Sequence, residues 1–192
     1  MKNKKIILIN NKKNLGKARS LNKGLKYVDT ELVAVVDADS YPQKDCLKKL
    51  IGHFDDKKTA VATSCILVKN KNKFIEKLQA IEYIVIAWTR KLLGYIDAIY
   101  VTPGPLAIYR KEVFNKIGGF DAENLTEDIE ITWRIAKHGY SRKMSLPAKV
   151  YTTAPSKFID WYKQRVRWNI GGLQTIMKYR KEIFSKNMVG FY

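Results

Sequence analysis

The stretch Glu31-Leu-Val-Ala-Val-Val-Asp-Ala-Asp39 constrains this chain more than any other. The run Leu32 to Val36 is short, apolar and rich in β-branched residues. Such a run predicts a strand buried on both faces, at the centre of an α/β sheet. It ends on Asp37 and Asp39, followed by Ser40 and Pro42. Alternation along a strand puts Asp37 and Asp39 on the same side. Open α/β sheets bind their ligands in the crevice at the strand C-termini. Two carboxylates there repel one another unless a cation or a proton lies between them. A divalent metal holding a diphosphate would use such a pair, because hard cations take oxygen ligands. A strand end followed by an Asx or Ser turn explains the same residues, so the pair alone does not decide.

Composition narrows the class. At 192 residues with 46% hydrophobics, the chain has the material for one domain with a real core. Lys and Arg number 36 against 18 Asp and Glu, a formal charge of +18. That excess implies a polyanionic neighbour: nucleic acid, an acidic membrane surface or phosphorylated substrates. Cys46 and Cys65 stand in apolar contexts and read as reduced core cysteines. With two His and no Cys/His cluster, a metal site of N and S ligands is not expected. No apolar stretch is long enough to span a bilayer, and no signal peptide is visible.

Along the chain, Ile6 to Ile9 predicts a strand, and Gly16 opens a helix with Ala18, Leu21, Leu25 and Val28 at helical spacing. Lys17, in its first turn, makes a plausible anion site with the free amides there, or is one more solvated lysine. A helix from about Gln43 puts Cys46, Leu47, Leu50, Ile51 and Phe54 on one face, and Ala60 to Lys69 reads as a strand. Phe74 to Leu93 predicts one long helix, apolar around more than one face, with Gln79, Glu82 and Tyr83 interleaved. Ile99 to Val101 and Leu106 to Tyr109 read as extended. The intervening Thr102-Pro-Gly-Pro105 forces irregular backbone, which lines a site or makes an ordinary turn. Arg110 to Ile117 is a short helix closed by Gly118-Gly119. Thr126-Glu-Asp128 precedes a helix with Thr126 as N-cap; one of its carboxylates either suits the dipole or faces the crevice as a general base. Lys143 to Leu146 and Val150 to Thr153 are expected strands, and Ser156 caps a helix carrying Gln164-Arg-Val-Arg-Trp168. Gln164, Arg167 and Trp168 share a face at i, i+3 and i+4, offering an amide, a guanidinium and an indole. Gly171-Gly172 ends that helix. A last one, with Leu173, Ile176, Met177, Ile183 and Phe184 against Lys178, Arg180 and Lys181, has the profile of a membrane-interface helix.

Asn14-Leu-Gly-Lys-Ala18, Asp37-Ala-Asp39, Thr126-Glu-Asp128 and Gln164-Arg-Val-Arg-Trp168 stand in one order. Together they resemble the processive, membrane-associated branch of glycosyltransferase family 2. Thr102-Pro-Gly-Pro-Leu-Ala-Ile-Tyr-Arg110, Gly118-Gly-Phe120 and Gln79 with Glu82-Tyr83 strengthen the likeness. The resemblance runs from about Asn10 to the C-terminus. It implies a GT-A-like three-layer α/β sandwich with a mostly parallel sheet, lacking the first nucleotide-binding strands. It implies residues 1–155 as a partial catalytic domain and 156–192 as the Q-x-x-R-W helix plus a membrane-interface helix. It also implies inverting transfer from a nucleotide-sugar, usually UDP-linked, to a glycan or lipid-linked acceptor. Asp37 and Asp39 would match the D-x-D that holds the nucleotide and Mg²⁺ or Mn²⁺, and Lys17 the lysine near the nucleotide. Asp128 would match the base, with Glu127 beside it. Gln164, Arg167 and Trp168 would grip the diphosphate and acceptor end, with Gly104 on the acceptor side. The implied place is the cytoplasmic face of the cell membrane, against an anionic surface. A second polypeptide supplying the earlier strands and membrane helices is a candidate partner.

Competing readings explain less. Haloacid-dehalogenase-like phosphatases continue their D-x-D with Gly-Thr, where this chain has Ser40-Tyr41. A nucleic-acid-binding module explains the charge but not the paired acidic motifs, and no recognised binding motif is present. An inactive subunit of a membrane synthase stays open.

Overall fold

The computed structural model describes residues 6–183. Five strands form one sheet: β1 (Leu32–Val35), β2 (Ser40–Pro42), β3 (Thr59–Val68), β4 (Ala107–Arg110) and β5 (Ser141–Thr152). Their order across the sheet is β1-β4-β3-β5-β2. Helices α1 (Lys17–Leu25), α2 (Cys46–Ile51), α3 (Phe74–Tyr95), α4 (Lys111–Ile117), α5 (Glu127–Lys137) and α6 (Phe158–Lys178) surround it.

The core divides by sheet face, as strand alternation requires. On one face Val61, Tyr109 and Val35 pack with Ala18 of α1, Phe114 and Ile117 of α4, and Ile131 and Ile135 of α5. On the other, Ala62, Ile108 and Val150 pack with Cys46 and Leu50 of α2 and with Phe54 in the 3₁₀ turn at Gly52–Asp55. Cys65 and Met144 meet Ala87 of α3. Helices therefore cover both faces, and the α/β sandwich is the expected one. Both cysteines are buried and free, as their apolar contexts indicated.

Two finer expectations need correction. The central strand is β3, buried along nearly its whole length. Leu32 to Val36 instead forms an edge: among the described residues β1 pairs only with β4, and Val36 is 47% exposed. A short apolar run does not reveal how many neighbours a strand has. Nor is the sheet mostly parallel, because only β3–β5 is a parallel pairing, while β1–β4, β3–β4 and β2–β5 are antiparallel. The cause lies at residues 96–106. After α3 the chain climbs back along the sheet as irregular backbone, so β4 enters from the far end. The stretch 99–101 is consequently not a strand. β1, β3 and β5 still run the same way, so their C-terminal ends share one rim.

Other local expectations fail for local reasons. Residues 6–9 form no strand, and Ile6, Ile7 and Leu8 lie exposed. Of the expected α2 face, Leu47 and Ile51 are half exposed. The two predicted strands around Pro147 are one, β5, with a register shift against β3 between Ser145 and Lys149. Ser156 does not cap α6; its hydroxyl donates to Glu76 at the start of α3. Thr126 occupies the N-cap position of α5 without a capping bond, its Oγ1 meeting Asn124 Oδ1 at 3.2 Å.

The most consequential difference is at Gly171-Gly172. Helix α6 does not break there but runs on to Lys178. A side chain at Gly171 would collide with Thr126 at the start of α5. Further along, buried Glu130 of α5 accepts from Lys178 Nζ at 2.6 Å and Tyr179 Oη at 2.7 Å. Lys178, expected on a solvated polar side, is thus tied to the core and to Asp121. Phe184 lies outside the described residues. A bare glycine and a buried carboxylate both help fix α6 to α5. Gly171→Val is expected to destabilise the fold by about 1–3 kcal/mol through overpacking. Gly172→Ala meets only Ile129 Cδ1 at 4.0 Å, and is expected to be neutral or stabilising by up to ~1 kcal/mol. Denaturant unfolding of both variants checks the seat: equal effects would mean α6 is not docked through Gly171.

Candidate active site

Gly16, with φ at +77°, turns the chain into α1 and makes Lys17 its first residue. From there Lys17 Nζ reaches Asp37 Oδ1 at 2.6 Å and Glu127 Oε1 at 3.0 Å. Burial lowers the Lys17 pKa, but the bond to Asp37 and the fields of Glu127 and Asp37 outweigh it and leave the pKa raised. The backbone of Asp37 is anchored too, its N–H donating to the Gly104 carbonyl at 3.0 Å. A Cβ at Gly104 would stand 2.5 Å from Asp37 Oδ2 and would also overlap Lys17. The Thr102-Pro-Gly-Pro105 segment therefore lies directly against the lysine–aspartate pair, where only glycine fits.

The start of α5 brings two carboxylates to the same place. Glu127 is 8% exposed and engaged by Lys17. Asp128 turns a different way: its Oδ1 accepts from the N–H of Ile129 at 2.9 Å, and its carbonyl accepts from Thr132 Oγ1 at 2.6 Å. Thr132 is buried and joined to Thr102, which meets the Tyr109 hydroxyl, so α5 is tied to the irregular segment beneath it. Burial, with Glu127 next to it and Lys17 opposing, pushes the Asp128 carboxyl up to about 6.

Helix α6 forms the opposite wall with Gln164, Arg167 and Trp168. Arg165, unmarked in the sequence reading, locks this wall. It makes a bidentate pair with Glu82 of α3, donates to Gln164 Oε1 at 2.6 Å and lies 4.1 Å over the Trp168 ring.

Between these walls lies a cleft of about 720 Å³ on the rim at the ends of β1, β3 and β5. Lys17, Asp37, Asp39, Gly104, Glu127, Asp128, Gln164, Arg167 and Trp168 all line it. Tyr83, Arg90 and Tyr100 line it as well, and the last two were not singled out from the sequence. Arg90 had one signal: it continues the polar row Gln79–Tyr83 along α3 at helical spacing.

A divalent cation fits part of this arrangement. The Asp39 side chain makes no hydrogen bond or ion pair with any described residue, and Asp37 offers Oδ2 besides the Oδ1 that Lys17 engages at 2.6 Å. Among the described residues no group of three His, Cys, Asp or Glu converges. The two aspartates thus provide oxygen donors for a hard cation whose remaining ligands come from a bound molecule.

Residues 32–191 match the model described as glycosyl transferase family group 2. This chain belongs to that family. The likeness first drawn from four short motifs is borne out. Among relatives of this family 2 chain, the poly-β-1,6-N-acetyl-D-glucosamine synthase of Staphylococcus aureus is 29% identical over 178 residues, covering 92% of this chain and 43% of the relative. The synthase of the same name from Staphylococcus epidermidis is 29% identical over 167 residues, covering 86% of this chain and 40% of the relative. In structure, the family 2 chain resembles a mannosyltransferase of Pyrobaculum calidifontis in complex with GDP-Man and Mn²⁺, with TM-score 0.74 and 21% identity over 91% of this chain and 46% of that one. That likeness establishes the fold. The chain spans less than half the length of these relatives.

The raised Asp128 pKa has a thermodynamic consequence. The folded value of about 6 lies above the ordinary 3.8, so the native state holds this proton more tightly than the unfolded chain. The protonated carboxyl stabilises the fold in acid, and that contribution is lost as pH rises from about 4 through about 6. Asp128→Asn is therefore expected to be more stable than the wild type at pH 7, by on the order of 2 kcal/mol, with the gap closing below pH 4. Melting temperatures across pH 4–8 measure it; a gap that widens in acid would contradict the burial of Asp128.

Proposed function

We propose that this chain carries the catalytic core of an inverting glycosyltransferase. It moves a sugar from a nucleotide-sugar, a UDP-linked hexose or N-acetylhexosamine, to a growing polysaccharide or lipid-linked acceptor. The observation that carries this reading is the division of labour at one rim. Lys17 commits Glu127 and Asp37 to an ion-paired cluster, while Asp128 beside them is left unpaired with a pKa near neutrality.

In this reading the diphosphate lies between Lys17 and Arg167, whose cations offset its charge. Asp37 and Asp39 would hold a Mg²⁺ or Mn²⁺ ion, which when bound supplies positive charge against the leaving diphosphate. Trp168, held flat by Arg165, offers an apolar face to a sugar ring. Asp128 takes the proton of an acceptor hydroxyl. The oxygen forms its bond to the anomeric carbon as the bond from that carbon to the diphosphate breaks. The nucleoside diphosphate leaves with the electron pair, and the proton on Asp128 passes to solvent. A base with a pKa near 6 is mostly ionised at pH 7 yet still strong enough to accept a proton. Glu127, already bound to Lys17, suits a positioning role better.

Asp128→Asn is expected to lower the transfer rate at least ~10²-fold while nucleoside diphosphate affinity stays nearly unchanged. Glu127→Gln should lose affinity as well, through Lys17. The wild-type rate should rise with pH through about 6 and then level off. Radiolabelled sugar incorporation by the full-length or co-expressed synthase provides the assay. Undiminished transfer by Asp128→Asn, with loss in Glu127→Gln, would reverse the assignment.

One observation favours a split or inactive subunit as the second reading. The outer edge of β1 has no strand partner among the described residues, a position that a second polypeptide could extend. Association with the cytoplasmic face of an anionic membrane fits either reading. No described helix is long and apolar enough to cross a bilayer, yet α3 exposes Ile81, Val85, Trp88 and Leu92, and α6 exposes Leu173 and Met177. With the +18 charge, these faces should bind anionic vesicles in a salt-sensitive way. Cosedimentation checks this, and no binding at low salt would refute it.

A further inference from the structure

Arginines buried elsewhere in this protein are fully engaged. Arg110 donates to Glu31 and to the carbonyls of Phe54 and Thr59. Arg142 donates to the carbonyls of Ile99, Tyr140 and Asp97. Arg90 is different. It is 6% exposed, and its guanidinium makes no hydrogen bond or ion pair with any described residue. It stands on the face of α3 that carries Gln79, Tyr83 and Ile86, and it lines the cleft together with Tyr83, Ile86, Tyr100 and Asp128. Burial pulls its pKa down, opposed by Tyr100 and Asp128.

A largely buried cation that meets no acceptor of its own protein costs a fold stability, because its donors keep only the little water the cleft admits. Its presence in a cleft points to a bound molecule that supplies the missing acceptor. We propose that Arg90 is the recognition group of a sugar-acyl subsite, its guanidinium donating to the carbonyl oxygen of an N-acyl substituent on the sugar that lies beside Asp128. This rests on the glycosyltransferase reading and narrows its substrate class.

Three features select this ligand. The diphosphate end already has its cations in Lys17 and Arg167, and the carboxylate whose field reaches Arg90 is Asp128, next to the reacting hydroxyl. A guanidinium only donates, so its partner must accept. A second carboxylate there would be repelled by Asp128, whereas a neutral carbonyl polarised by Arg90 would not. Tyr83, Tyr100 and Ile86 provide aromatic and apolar surface for the acyl methyl group.

Calorimetry on the wild-type chain, Arg90→Met and Arg90→Lys decides the matter. One arm compares UDP-N-acetylglucosamine with UDP-glucose, the other chito-oligosaccharides with cello-oligosaccharides. The wild type should prefer the acylated ligand in one arm by ~10²-fold, since a sugar without the carbonyl leaves Arg90 unpaired. A preference in the first arm assigns the acyl group to the donor, and in the second to the acceptor. Arg90→Met should reduce that preference to within about threefold, with UDP affinity in Mn²⁺ unchanged and a melting temperature no lower than the wild type's. Arg90→Lys should retain part of the preference. The proposal is overturned if the wild type shows no preference in either arm, if Arg90→Met keeps it, or if Arg90→Met melts lower, which would mark Arg90 as a structural cation. Failure of the wild type to bind UDP would instead count against the glycosyltransferase reading, and the oligosaccharide arm would still judge Arg90.

Discussion

The geometry of the cleft depends on Lys17. One ammonium group, delivered by a glycine turn at the start of α1, bridges the carboxylate at the end of β1 and the first residue of α5. Three elements distant in sequence are thereby drawn to one point. The irregular segment through Gly104 is pressed against that point so closely that a side chain would not fit. Without the lysine, Asp37 and Glu127 would face each other as unscreened anions in a partly enclosed site. The same lysine moderates Asp128, whose pKa is raised by burial and by Glu127 but held back by the nearby cation.

The second constraint is the seating of α6. Gly171 lets the helix approach Thr126, and Glu130 ties the helix end through Lys178 and Tyr179. Those contacts bring Gln164, Arg167 and Trp168 over the rim where Asp37 and Asp128 lie. The Arg165–Glu82 pair then fastens α6 to α3 on its other side. The cleft is enclosed by helices docked onto a sheet edge, so its shape is a property of packing more than of loops.

This explains what could be read from the sequence. The acidic candidate site residues were legible because they lie where a motif coincides with the end of an element: a strand ending in Asp37-Ala-Asp39, a helix starting at Thr126-Glu-Asp128. The sandwich was legible from the alternation of apolar patterns. Sheet position was not, since Leu32 to Val36 has the same composition on an edge as at a centre. The Gly171-Gly172 pair looked like a helix stop because glycine costs about 1 kcal/mol inside a helix; the tertiary contact with Thr126 overrides that local preference. Arg90 went unread because one arginine on an apolar helix is normally a solvated end, and only the folded structure reveals that it is buried. Local pattern records what a residue prefers, and the exceptions here are residues whose partners come from elsewhere in the fold.

The central claim is that this rim binds a nucleoside diphosphate through Asp37, Asp39 and a divalent cation. Calorimetric titration of UDP with and without Mn²⁺, on the wild type and on Asp39→Ala, tests it most directly. The Asp39 side chain makes no hydrogen bond or ion pair with any described residue, so its loss should leave folding intact. The wild type should bind UDP more tightly in Mn²⁺ than in its absence, and Asp39→Ala should lose most of that gain. Equal metal-dependent binding by both proteins would contradict the assignment.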